Sequence, residues 1–142
     1  GVATGIALFT VAHFFCGIIL STMFIVTHIS DSCEFLLSDD KIVTAPRKPL
    51  QFNWAAMQCR TSTNWAVKST FWTHFSGGLN HQIEHHLFPN ICHIHYKGIS
   101  AIVKQKSQEH GLPYYTYKTY LQAITEHTKM LKQLGNAQGA AI

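Results

Sequence analysis

The run from Val2 to Val26 contains no charged residue, and it constrains the rest of the chain more than any other feature. As a helix it measures about 38 Å at about 1.5 Å per residue, enough to cross a hydrocarbon layer of roughly 30 Å with some tilt. Two other readings compete with a membrane span. A signal peptide needs basic residues ahead of a shorter apolar core, and Gly1 to Val26 holds none. A buried helix in a soluble core is the second. The charged fraction of 13% argues against it, since soluble domains carry about 25%. We therefore expect one transmembrane helix.

All 11 Lys and Arg lie at Lys41 or later. The positive-inside tendency then places the flank after the span in the cytosol. No second apolar run reaches the length of a span, so a single crossing is expected. The chain begins at Gly1 rather than Met and is apolar from the outset, which reads as a piece of a longer protein. The expected fold class is an all-α membrane protein fragment, with one transmembrane helix followed by a helical cytosolic cap. The divisions are residues 1–28 for the helix, 29–135 for the cap and 136–142 for a flexible tail.

Composition excludes two classes. A hydrophobic fraction of 46% and a net charge of +4 do not describe a disordered chain. The cations are scattered and form no basic stripe, so no nucleic-acid partner is expected. Cys16, Cys33, Cys59 and Cys92 form no CxxC pair, which suits free thiols in a reducing compartment.

Ser38 to Pro49 reads as a loop, with two prolines and mixed charge. Trp54, Trp65, Phe71 and Trp72 belong either to segments in the headgroup region or to an aromatic core, and periodicity does not separate the two. Ser76-Gly77-Gly78 breaks the chain. A short helical run follows from Leu79 to Phe88 and is stopped by Pro89. Ile99, Ile102 and Val103 mark an amphipathic helix ending near Gly111. Leu121, Ile124, Thr128, Leu131 and Leu134 mark another, running to about Gly135. No strong strand alternation is visible.

Histidine is over-represented, with 10 residues. The central signal is His81-Gln82-Ile83-Glu84-His85-His86. Residues three and four apart share a helix face, so Gln82, His85 and His86 are neighbours that can aim imidazoles and an amide at one point. Neutral imidazole suits iron, zinc, copper and nickel alike. A zinc site from Cys92, His95, His85 and His86 is conceivable but lacks the usual paired spacing. Glu84 projects differently and reads as a group supporting the ligands from behind or as a surface group. His13, in mid-span, reads as a neutral imidazole bonded to a neighbouring helix. His28, at the end of the run, reads alone as an interfacial anchor.

The stretch GGLNHQIEHHLFP, Gly77 to Pro89, closely resembles the third histidine box of front-end fatty acid desaturases, in which Gln replaces the first His of HxxHH. FIVTHISD, Phe24 to Asp31, resembles the end of that family's last transmembrane helix, where an extra histidine stands. NWAAMQCRTSTNW, Asn53 to Trp65, is similar to the segment before the third box. FPNICHIHY, Phe88 to Tyr96, resembles bacterial and cyanobacterial delta-6 acyl-lipid members. The resemblance spans about Leu8 to Leu134.

Membership would imply two iron ions held mainly by histidines at the cytosolic membrane surface, with His28, Gln82, His85 and His86 as the ligands contributed here. No catalytic residue beyond these is expected, and His81, His93 and His95 fall outside the set. An unactivated methylene has neither an acidic proton nor a leaving group, so acid–base catalysis cannot desaturate it. The family uses O2 at iron, with two electrons from cytochrome b5 or a ferredoxin. The substrate would be a fatty acyl chain carried on a lipid or on CoA, in the bilayer. The first and second boxes are absent from this sequence, so residues 1–142 alone are expected to be inactive. A sphingolipid long-chain-base desaturase, a diiron hydroxylase and a single-span protein with a zinc-binding cytosolic domain are the alternatives.

Overall fold

A computed structural model describes residues 1–34 and 53–140, with side chains to 136. The expected loop from Ser38 to Pro49 lies outside the described residues. The chain is mostly helical, in the order α1 (Val2–Ile25), α2 (Trp54–Thr61), β1 (Asn64–Trp65), α3 (Thr70–Phe75), α4 (Gln82–Leu87), α5 (Tyr96–Glu109), β2 (Thr116–Tyr117) and α6 (Tyr120–Ala140). A single 3-10 turn, His93–His95, leads into α5.

α1 is 24 residues long, and by length and composition it can cross a membrane. It is apolar on every side, so no face favours water over its opposite. Met23 is its one buried residue. Its polar side chains are satisfied within the helix: Thr10 Oγ1 donates to the Ile6 carbonyl at 2.9 Å and Thr22 Oγ1 to that of Ile18 at 2.9 Å. His13 Nδ1 donates to the Phe9 carbonyl at 2.9 Å. His13 Nδ1 is thus satisfied within its own helix, since the carbonyl one turn back is within reach.

The last turn of α1 enters an aromatic core. Met23 and Val26 pack with Trp65, Ala66, Tyr117 and Ala123, and Trp72, Tyr120 and Ile124 close around them. The Tyr120 hydroxyl donates to Thr22 Oγ1 at 2.7 Å, and His127 Nδ1 donates to the Ile29 carbonyl at 2.7 Å, so α6 grips the foot of α1. Trp65 is fully buried, whereas Trp54 and Phe71 are more than half exposed. The four aromatics therefore divide between core and surface.

β1 and β2 pair in parallel, Asn64 against Thr116 and Trp65 against Tyr117. Two-residue strands are too short to show alternation, which is why the sequence does not signal them. Asn53 caps α2 by accepting from the Ala55 amide, and Ser69 caps α3 by accepting from that of Trp72. Gly78 has φ +86, and a Cβ there would lie 2.4 Å from His93 Cβ. Glycine is required because this turn packs directly on the 3-10 turn. α5 ends at Glu109, with Gly111 in the left-handed region just after it. α6 passes the expected stop at Gly135 and continues to Ala140. A single glycine costs a helix only about 1 kcal/mol and does not end it.

Candidate metal centre

The chain after α1 turns through Thr27 to Ser30, which sets His28 beside α2 and α4. This turn is fastened to the end of α2: the Thr63 amide donates to the Thr27 carbonyl at 3.0 Å and the Glu34 amide to the Arg60 carbonyl at 2.8 Å. α4 lies across α2 and α5. Ile83 packs with Cys59 and Val103, and Leu87, Leu112 and Tyr114 complete that cluster.

Gln82, fully buried, is the hub of the site. Its side-chain Nε2 donates to His86 Nε2 at 2.8 Å and to His28 Nε2 at 3.1 Å. The two imidazoles meet edge to face, with ring centroids 5.1 Å apart. Each ring is fixed from behind. The Thr61 carbonyl accepts from His28 Nδ1 at 3.2 Å, and Gln58 Oε1 accepts from His86 Nδ1 at 2.6 Å. With Nδ1 carrying the proton, both Nε2 lone pairs are directed at the same amide. Burial, reinforced by His28 and His85, lowers the His86 pKa to about 4, so its imidazole is neutral at pH 7.

The structure thus unites three of the four expected ligands, His28, Gln82 and His86. His85 follows a different direction. Its Nδ1 donates to the Tyr96 hydroxyl at 3.4 Å, which itself donates to the Phe88 carbonyl at 3.4 Å. His85 remains adjacent, its ring centroid 5.8 Å from that of His86. His81 is not among the converging groups, as expected. It is buried, with Nε2 donating to Thr73 Oγ1 at 3.3 Å and its pKa lowered to about 4 chiefly by burial. Among the described residues no group of three or more His, Cys, Asp or Glu is placed to hold a metal, so Cys92, His95, His85 and His86 do not assemble a zinc site.

Behind α4 lies a second polar group that the spacing did not resolve. Glu84 is fully buried. It accepts from Asn64 Nδ2 at 2.8 Å and from the Tyr114 hydroxyl at 2.7 Å. Asn64 Oδ1 accepts from the Ile83 amide at 2.9 Å. Burial raises the Glu84 pKa, and burial with the neighbouring carboxyl raises that of Tyr114. Glu84 therefore anchors the helix that carries Gln82, His85 and His86. Of the supporting groups, only Glu84 was visible in the sequence; Gln58, Asn64 and Tyr114 come from distant segments.

The donor chemistry passes a test for metal. Two sp2 nitrogen lone pairs converge on one amide, and Gln82 Oε1 is buried without a hydrogen-bond partner among the described residues. As placed, the Gln82 NH2 occupies both lone pairs, and turning the amide over would bring its oxygen to the two imidazole nitrogens as a third donor; such a set admits iron, as it admits zinc, copper or nickel. Fold and site together define a helical chain with a candidate metal centre at the foot of a candidate membrane span.

The sequence model for fatty acid desaturases matches residues 1–118. The chain belongs to the fatty acid desaturase family. It is 41% identical to the sn-1 linoleoyl-lipid 6-desaturase of Synechocystis over 90% of this chain and 34% of that protein. It is 39% identical to the acyl-lipid (8-3)-desaturase of Physcomitrium patens over 93% of this chain and 26% of that protein. It is 35% identical to the Delta(5) fatty acid desaturase A of Dictyostelium discoideum over 92% of this chain and 28% of that protein. The chain therefore spans about a quarter to a third of the length of these relatives. No solved structure matches it.

Proposed function

We propose that this chain is the C-terminal part of a membrane front-end fatty acid desaturase, which inserts a cis double bond into an unsaturated acyl chain using O2 and two electrons. The observation that carries this reading is the convergence of His28 and His86 on Gln82, each ring fixed through Nδ1. His28, Gln82, His85 and His86 would hold iron, completed to a diiron centre by histidines from segments outside this sequence. Bound iron supplies the activation of O2 that removes hydrogen from unactivated methylenes.

The residues of this chain prepare that chemistry. Gln58 and the Thr61 carbonyl keep the Nε2 atoms of His86 and His28 free of protons and aimed inward. Glu84 and Asn64 hold α4 in place. α1 spans the bilayer, and residues 29–135 form a cap on its cytosolic face. That position suits a substrate that never leaves the lipid. The relatives' names favour an acyl chain carried on a lipid, and a delta-6-like position is proposed from the likeness to the 6-desaturase of Synechocystis. Electrons would come from cytochrome b5 or a ferredoxin.

The test is His86→Ala and His28→Ala in the full-length protein, expressed in a host that supplies linoleoyl lipids. Gas chromatography and mass spectrometry of the fatty acids should show product below detection for both variants, with reduced iron per protein. Full product formation by His86→Ala would refute the ligand role. The position of the new double bond in the wild-type product reads the regiochemistry directly.

A further inference from the structure

One short helix supplies both of the acceptors that fix the converging imidazoles. Gln58 and Thr61 stand three residues apart on α2, and therefore on one face. Thr61 is the final residue of that helix. Its carbonyl has no partner further along the helix, so it is available to a side chain. It also lies at the negative end of the helix dipole, which favours an N–H donor. His28 Nδ1 occupies that place at 3.2 Å. One turn back, Gln58 is nearly buried and offers Oε1 to His86 Nδ1 at 2.6 Å. The helix is held against both partners: Arg60 pairs with Glu34 at 2.9 Å beyond His28, and Cys59 packs on Ile83 of α4.

We propose that Gln58 is a positioning residue for the metal centre, acting through His86, and that α2 is the element that orients both rings. This rests on the reading of His86 as an iron ligand. A neutral imidazole has one N–H, and whichever nitrogen holds it cannot bind metal. By accepting at Nδ1, Gln58 selects the tautomer with Nε2 free and also sets the plane of the ring. Without that acceptor, His86 loses a reason to keep its proton at Nδ1, and the ring can rotate about its two side-chain torsions. Supporting acceptors of this kind are worth about 10–100-fold in metal affinity.

The experiment compares Gln58→Met with Gln58→Glu in the full-length protein, stripped of iron and titrated with Co2+ alone. Binding is followed by visible absorption, and folding by thermal unfolding before metal is added. Met keeps the length and bulk of Gln but offers no oxygen; Glu keeps the acceptor and buries a charge. A positioning role predicts that Gln58→Met binds about 10–100-fold more weakly with an altered absorption band, while Gln58→Glu binds within a few-fold of wild type. A purely structural role predicts the reverse order, with the buried charge of Glu the more damaging. Wild-type affinity and spectrum in Gln58→Met would overturn the proposal, and so would weaker binding by Glu than by Met. Should Gln58→Met fail to fold, Gln58→Leu replaces it under the same criteria. His86→Ala is titrated in parallel. If it binds cobalt as wild type does, the ligand reading itself fails; if it loses binding while Gln58→Met does not, only the role of Gln58 fails.

Discussion

α1 and α4 invert the usual arrangement of a soluble protein. The first is long, apolar and uncovered, with one buried residue in 24. The second is six residues long, mostly polar, and buries Gln82, Ile83 and Glu84 completely. In water the exposed surface of α1 would be unfavourable by about 25 cal/mol per Å2 of apolar area. In lipid it has no such cost. The buried polar residues of α4 are tolerable because most of their groups have partners: Glu84 has Asn64 and Tyr114, the Ile83 amide has Asn64, and the Gln82 amide nitrogen has His28 and His86. Of these groups, that leaves Gln82 Oε1 alone without a partner among the described residues. One helix depends on its solvent and the other on named side chains. They should therefore fail in different ways.

The largest effect is expected at Asn64. Asn64→Leu keeps the size but removes the donor to Glu84 and the acceptor for Ile83, leaving buried polar groups unpaired. The expected loss is about 3 kcal/mol of stability, read as a lower melting temperature in detergent and faster hydrogen exchange in α4. An unchanged melting temperature would mean that α4 does not rely on this network. A comparable effect of a different kind is expected at Phe14, midway along α1. Phe14→Asp should cost about 3 kcal/mol of membrane insertion while leaving the cap's own packing intact. Membrane fractionation and glycosylation mapping would check this. Equal insertion of the variant would show that this face of α1 does not meet lipid.

The smallest effect is a pH dependence. Folded His81 resists protonation until about pH 4, while an unfolded histidine takes up a proton near 6.5. Between these values the unfolded chain binds more protons, so stability is full above about pH 6.5 and declines as the pH falls toward 4. His81→Gln should flatten part of that decline in metal-free protein. Thermal unfolding at pH 7.5 and pH 5 would measure it, and an identical slope in both proteins would exclude His81 as a contributor.

The same contrast explains what was legible beforehand. α1 declares itself through an unbroken absence of charge, because one kind of solvent imposes one kind of residue. The spacing of Gln82 and His86 is equally local, since four residues make one helical turn. The direction of His85 is not local: it depends on Tyr96 at the start of α5. His28 acquires meaning only when a separate segment places Thr61 against it. Gln58 reads as one polar residue among several until α4 is folded onto α2, 28 positions away. Trp65 illustrates the limit well, since its place in the core depends on the foot of α1, on Trp72 and on Tyr120, which come from three separate segments.

The clasp between α6 and the foot of α1 joins residues 98 positions apart. During synthesis Thr22 and Ile29 leave the ribosome long before Tyr120 and His127 exist. The upper turns of α1 need no such partner, since Thr10 and His13 are satisfied by the preceding turn. α1 can therefore form first and wait, with its last turn unclasped, for the rest of the chain to be completed. His28 stands just beyond that turn and next to Ile29, so its ring can find Thr61 and Gln82 before α6 exists, while the backbone that carries it is clasped only when His127 arrives.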